Sequence, residues 1–293
     1  MVTGDVLGRV RDAVPDLSAA ENRVAQFIIR EPQHVVELTI TDLATATGVS
    51  QATIARFAQG LGYTGYREFR LALAGATSRE EAARARFALS ESEIDDADPA
   101  REVATKIAYQ ESMAIEQTAR ELDLDAVDRV AAAVVAADRI EVFGVGASAL
   151  TAQDLQQKLV RIGLRASFSL DGHLALTSAA LMGERSVAIA VSHTGETDET
   201  IRPFEIAAAA GSALVAVTNV PTSSLARVAD EVLLTRARES PYRTGAMSSR
   251  IAQLTLVDIL FVRVAQRMPA EMSVALERTY DATRSRRRRP TAG

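Results

Sequence analysis

Ser192-His193-Thr194-Gly195-Glu196-Thr197-Asp198-Glu199-Thr200 follows an apolar run at 187–191, and the passage from that run into a hydroxyl-rich, glycine-punctuated turn decides the class of fold. A short apolar strand that turns in this way into a helix is half of a βαβ unit. Similar apolar runs stand at 140–143, 166–170, 214–218 and 231–234, separated by longer stretches of helical periodicity. Strands alternating with helices predict a parallel sheet with helices on both faces. The pattern begins after Asp138 and closes with a helix over about 248–267.

The turn itself has a chemistry. Ser192, Thr194 and Thr197 surround Gly195, and hydroxyls beside free backbone amides make a neutral, donor-rich cradle suited to a phosphate monoester. Thr194 and Thr197 could also do no more than cap the following helix. A second loop, Phe143-Gly144-Val145-Gly146-Ala147-Ser148, ends the first strand. Its glycines let the backbone approach an anion, and a helix N-terminus offers unpaired N–H groups and a positive dipole end. Gly144-x-Gly146 alone would equally open a dinucleotide fold, with Ala149 in place of the third glycine and Asp171 as the acid after the second strand. Two such loops at neighbouring strand ends fall in the crevice where open α/β sheets bind ligands. His193 reads either as an acid/base group or as a loop residue, with no matched carboxylate beside it in sequence. His173 helps to start a helix rather than to bind a metal. Glu239, just past the fifth strand, either lines the pocket or sits in solvent.

The N-terminal region is different. In Leu43-Ala44-Thr45-Ala46-Thr47-Gly48-Val49-Ser50-Gln51-Ala52-Thr53-Ile54-Ala55-Arg56-Phe57, Ala44 is small where two helices cross and Gly48 tolerates the positive φ of a tight turn. Leu43, Val49, Ile54, Phe57 and Leu61 fall where the two helices pack, and Ser50 is a natural N-cap. The second helix is expected to present Ser50, Gln51, Thr53 and Arg56 on its outer face, as a major-groove reading helix would. The plainer alternative is a helical hairpin with a glycine turn. Upstream, Ser18-Ala19-Ala20-Glu21 has capping-box spacing and opens a helix that must stop before Pro32.

The composition limits the remaining classes. The 293 residues are 47% hydrophobic, enough for one large or two ordinary domains. There is no cysteine and only His34, His173 and His193, which exclude disulfides and make a structural metal site an unexpected feature. No charge-free apolar run spans a membrane, and the N-terminus lacks signal-peptide character, so a cytoplasmic location is expected. With a net charge of −5, any DNA binding must come from a local surface. The expected organisation is a helix-turn-helix unit over 1–77, a linker over 78–100, an α/β domain over 101–283 and a basic tail over 284–293.

These pieces together resemble the RpiR/MurR family of bacterial regulators over nearly the whole chain. The resemblance is carried by Gly48-Val49-Ser50-x-Ala52-Thr53-Ile54-x-Arg56-Phe57 and Leu61-Gly62-Tyr63-x-Gly65-Tyr66-x-Glu68-Phe69. In the second half it is carried by Phe143-Gly144-x-Gly146-x-Ser148, Asp171-x-His173, Ser192 through Thr197 and Arg243-Thr244-Gly245-Ala246-Met247-Ser248-Ser249-Arg250. It implies a winged-type helix-turn-helix joined to a sugar isomerase (SIS) domain, a five-stranded parallel sheet flanked by helices, used for binding rather than turnover. Gly146, Ser148, Ser192, His193, Thr194, Gly195, Thr197 and Glu239 would then surround a phosphorylated sugar, with no cofactor or metal. Thr194 and Tyr66 depart from the commoner serine and phenylalanine but keep their chemistry. Double-stranded operator DNA is the expected partner. One reading head covers too few base pairs for specificity, so a homodimer or homotetramer is expected. The rival is an aldose–ketose phosphosugar isomerase using Glu239, Glu196 or His193 as its base. Such an enzyme has no need of residues 1–77.

Overall fold

The computed structural model describes residues 6–89, 93–239 and 246–284, with side chains to 282. Residues 243–245 of the last motif and the tail from 285 lie outside the described residues. The chain divides into two compact units, Met1–Met113 and Ala114–Gly293.

The first unit contains α1 (Val6–Ala13), α2 (Ala19–Arg30), α3 (Pro32–Glu37), α4 (Ile40–Thr47), α5 (Gln51–Gly60) and α6 (Tyr66–Arg86), and it holds the start of α7 (Ala100–Glu121). The capping box forms as read: the Ser18 hydroxyl accepts from the Glu21 N–H and the Glu21 carboxylate accepts from the Ser18 N–H. A second box, Thr39 with Asp42, opens α4. The core is aromatic at one end, where Phe69 meets Tyr63 at 5.5 Å and Phe57 at 6.0 Å in edge-to-face geometry. Among the described residues this unit has no strand, so the wing implied by the resemblance is not formed. The chain leaves α5 at Leu61 and turns straight into α6.

The expected boundary at residue 77 falls inside α6, because Ser78-Arg79-Glu80-Glu81-Ala82-Ala83-Arg84-Ala85-Arg86 is rich in helix formers and carries the helix on. The unit boundary lies further on, within α7. There Lys106, only 2% exposed, is held by both oxygens of Asp98 at 2.8 Å and by Glu102 at 3.2 Å. The ammonium's hydrogen bonds hold the Asp98 carboxyl below its ordinary range, and Asp98 in turn raises the Lys106 ammonium.

The second unit continues with α8 (Leu124–Ala136), β1 (Arg139–Phe143), α9 (Ala147–Arg161), β2 (Ala166–Phe168), α10 (Gly172–Ala180), β3 (Ser186–Val191) and α11 (Asp198–Ala209). It ends with β4 (Ala213–Thr218), α12 (Ser224–Val228), β5 (Glu231–Leu234), α13 (Met247–Gln266) and α14 (Pro269–Arg284). All strand pairs are parallel, in the order β2-β1-β3-β4-β5. β2 is shorter than expected: Ser169 Oγ accepts the Asp171 N–H, the chain turns, and Leu170 is left exposed. The sequence pattern also misses α14, which follows α13 after a break at Arg267–Met268.

The sheet sorts its side chains by size. Val187, Ile189 and Val191 of β3 face one core with α8, α9 and α13, while Ala188 and Ala190 face the other, where Phe204 of α11 is fully buried. Small residues on that face let a phenylalanine-bearing helix lie close to the sheet. Strand order reverses between β1 and β3, so the loops after these two strands open into the crevice at the topological switch point. No helix among the described residues is long and apolar enough to cross a membrane.

Candidate ligand cradle and nucleic-acid interface

The loops after β1 and β3 enclose a cavity of about 140 Å³ whose lining includes Ser148, Ser192, His193, Thr194, Thr197 and Thr200, with Ala246 and Ser249 from the start of α13. Four of the sequence-selected hydroxyls therefore meet in one place. Ser192 is buried, and its Oγ accepts the Gly195 N–H at 3.1 Å and lies 3.3 Å from Thr197 Oγ1. Thr194 Oγ1 accepts the Glu196 N–H at 3.3 Å. Thr197 stands at the N-cap of α11 but makes no side-chain cap bond, so helix capping does not account for it. Gly146, at φ +59°, precedes α9, which has no side-chain cap either. Both helices thus present first-turn amides that no capping side chain takes up.

Gly195 is required where it stands. Its φ is +66°, and a Cβ there would lie 2.2 Å from Ser223 Oγ and 2.5 Å from Ser223 Cβ. Ser223 caps α12 through the Ala226 N–H, and the Gly195 carbonyl accepts the Leu225 N–H at 3.0 Å. The cradle loop is locked to the neighbouring β4–α12 turn. His193 lines the cavity, and its backbone carbonyl accepts from the Asn219 N–H at 3.0 Å and the Thr218 hydroxyl at 3.2 Å.

The two carboxylates named as bases are engaged elsewhere. Glu239 is not part of the cavity lining; its Oε1 accepts the Ser249 N–H at 2.6 Å and so caps the first turn of α13. Glu196 accepts the Ser224 N–H at 2.8 Å, and hydrogen bonding from the Ser224 side chain and backbone lowers its carboxyl from the ordinary value. Asp171 serves as the N-cap of α10 through the Leu174 N–H, not as the acid of a dinucleotide site. Sequence reasoning missed two residues. Thr200 lines the cavity, fully buried, and its hydroxyl has no hydrogen-bond partner among the described residues. Gln253, 1% exposed in α13, donates from Nε2 to Ser148 Oγ at 3.1 Å. No local sequence signal marks Gln253, because Ser148 lies 105 residues away along the chain.

In the first unit, Gly48 takes φ +64° at the end of α4, and Ser50 Oγ accepts the Thr53 N–H at 3.1 Å to start α5. The Arg23 guanidinium donates to the carbonyls of Thr47 (3.3 Å) and Gly48 (3.4 Å), bracing the turn from α2. Gln51 and Arg56 are exposed on α5, with Ala52 and Gln59 between and beyond them. Gln51 Nε2 donates to Thr41 Oγ1 of α4 at 3.0 Å. Thr53 is a correction to the expected reading face: it is buried at 8% exposure and its hydroxyl meets Ser50 Oγ at 2.9 Å. A turn of about 100° per residue puts Thr53 beside Phe57, on the side that packs into the core.

Two family models match the chain: the helix-turn-helix domain of the rpiR family over residues 4–80 and the SIS domain over residues 134–263. An uncharacterized HTH-type transcriptional regulator of Caldanaerobacter subterraneus subsp. tengcongensis is 32% identical over 283 residues, covering 97% of this chain and 98% of the relative. One from Thermotoga maritima is 32% identical over 266 residues, covering 90% of this chain and 93% of its own. Among solved structures, the Vibrio vulnificus NanR protein complexed with ManNAc-6P is 29% identical with a TM-score of 0.59, covering 95% of this chain and 98% of NanR. The sugar isomerase domain of an RpiR transcription factor from Sphaerobacter thermophilus shares the fold at 24% identity and a TM-score of 0.57, covering 61% of this chain and 98% of that one. The helical reading unit, the parallel SIS sheet and full-length similarity to these regulators agree: the chain belongs to the RpiR family of HTH-type transcriptional regulators.

Proposed function

We propose that the second unit senses a sugar phosphate and that α5 reads operator DNA, so that the chain couples carbohydrate or amino-sugar supply to transcription. The observation that carries this reading is the pair of uncapped helix N-termini, α9 and α11, opening onto one cavity with the hydroxyls of Ser148, Ser192, Thr194 and Thr197. Neutral donors at two dipole ends suit a phosphate monoester. NanR, bound to ManNAc-6P, supports the ligand class and supplies a first probe. Binding without turnover is favoured because Glu239 and Glu196 are both engaged as acceptors of backbone N–H groups. The Glu196 carboxyl is moreover lowered by hydrogen bonding from Ser224, away from the neutral range that a general base needs.

Ser192→Ala removes one donor and should weaken sugar-phosphate affinity by about 1–3 kcal/mol while leaving ligand-free DNA binding intact. Calorimetry with a panel of hexose 6-phosphates including ManNAc-6P measures it. Parent-like affinity in the variant would remove Ser192 from the site. On the DNA side, Ser50, Gln51 and Arg56 lie toward the N-terminal end of α5, where a reading helix meets the major groove. Arg56→Ala should weaken operator retention by about 1–3 kcal/mol, read by gel shift across salt concentrations. An unchanged operator affinity would exclude Arg56 from the contact. Half-site reading by a homodimer or homotetramer completes the proposal.

A further inference from the structure

The cradle hydroxyls are alike in type, yet one of them has a fixed direction. Ser148 Oγ accepts the Gln253 Nε2–H at 3.1 Å, while Gln253 Oε1 lies 3.4 Å from the hydroxyl of Thr151. Gln253 and Thr151 are 1% and 0% exposed, and they join α13 to α9 through the apolar core beneath the loop. A primary amide has one acceptor end and one donor end. As placed, the Gln253 oxygen faces the Thr151 hydroxyl, which donates to it, and the amide nitrogen faces Ser148 and can only donate. With one Ser148 lone pair taken by that N–H, the hydroxyl proton remains available to a ligand in the cavity that Ser148 lines.

We propose that Gln253 is a positioning residue that makes Ser148 a dedicated hydrogen-bond donor to the ligand's phosphate oxygens. This rests on the cradle reading above and deepens it. A freely rotating serine accepts as readily as it donates, so it does not distinguish an acceptor-only phosphate group from a hydroxyl. A serine whose oxygen is held by a buried amide favours the acceptor-only group, and consecutive hydrogen bonds reinforce one another. The relay Thr151, Gln253, Ser148, ligand runs in one donor direction throughout.

The test is a double-mutant cycle on the full-length chain, with calorimetry against hexose 6-phosphates including ManNAc-6P. Ser148→Ala, Gln253→Met and the double variant are compared, with thermal unfolding as a check on folding. Gln253→Met is expected to weaken binding roughly 3-fold or more when Ser148 is present and less than about 2-fold in the Ser148→Ala background, because contacting residues couple and independent ones add. Gln253→Glu supplies a second readout if the methionine variant is poorly folded. An ionised glutamate accepts the Ser148 proton instead of donating, so binding should fall further than in the methionine variant and recover as the pH drops and the carboxyl is protonated. In the Gln253→Glu/Ser148→Ala double variant most of that recovery should vanish. Equal losses from Gln253→Met with and without Ser148, or a Gln253→Glu recovery that persists without Ser148, would overturn the positioning role while leaving the cradle in place. If Ser148→Ala has no effect, or the parent binds none of the phosphates, the cradle reading itself has failed.

Discussion

Gly195→Ala is expected to destabilise the second unit by about 3–5 kcal/mol, the sum of left-handed strain, a packing overlap and a lost helix cap. The new methyl would fall 2.2 Å from Ser223 Oγ and 3.0 Å from Thr218 Oγ1, and neither neighbour has an idle alternative. Ser223 caps α12, and Thr218 donates to the His193 carbonyl. Relief of the overlap therefore requires the β3–α11 loop to shift, and the Ser192 and Thr197 hydroxyls shift with it. Sugar-phosphate binding should be lost along with stability. Gly195→Ala with Ser223→Gly should recover part of the unfolding midpoint, because the nearest overlap is gone while the strain remains. Gly146→Ala is the comparison: it has positive φ but nothing within 4 Å of the added methyl, so it should cost less. Denaturant unfolding followed by circular dichroism decides the matter. An unchanged midpoint in Gly195→Ala would show that the loop is not locked as described.

Phe69→Ala should cost about 3–5 kcal/mol in the first unit. The ring is 1% exposed and touches three others, with Phe57 at 6.0 Å, Tyr63 at 5.5 Å and Tyr66 at 6.4 Å between centroids. Phe57 belongs to α5, so the cavity left behind opens under the reading helix itself. A fall of about 15 °C or more in the transition of that unit is expected, with DNA retention lost and sugar-phosphate binding kept. A variant that keeps operator binding near the parental midpoint would mean that this aromatic cluster does not set the stability of the unit.

Local pattern and loop chemistry are legible in the amino-acid sequence alone. The five strand positions, the capping box at Ser18, the turn at Gly48 and the hydroxyl cluster around Gly195 all depend on neighbours within a few residues, which sequence spacing reports directly. Thr53 is misplaced by the motif although the helical period contains the answer, since Thr53 turns toward Phe57 rather than toward Gln51. Glu239 stays ambiguous in sequence because its partner, the Ser249 amide, lies ten residues further along the chain. Gln253 is invisible there because it acts on Ser148 over a separation of 105 residues, and only the packing of α13 on α9 brings them together. The strands of the wing implied by family likeness are absent among the described residues, since Tyr66 starts a helix soon after α5 and leaves no length for a hairpin there.

The position of α7 has a practical consequence for dividing the molecule. A fragment beginning at Arg101, where the sequence pattern suggests a boundary, would retain Lys106 with Glu102 but discard Asp98, the carboxylate that holds the buried ammonium through both of its oxygens. A fragment beginning at Ala114 would instead keep Thr118 on the Arg236 N–H at 2.9 Å and Glu121 on the Arg236 guanidinium at 3.0 Å. Excision of the sensing half by protease or by gene truncation should therefore be aimed at the middle of a helix, a place that loop-seeking rules would pass over.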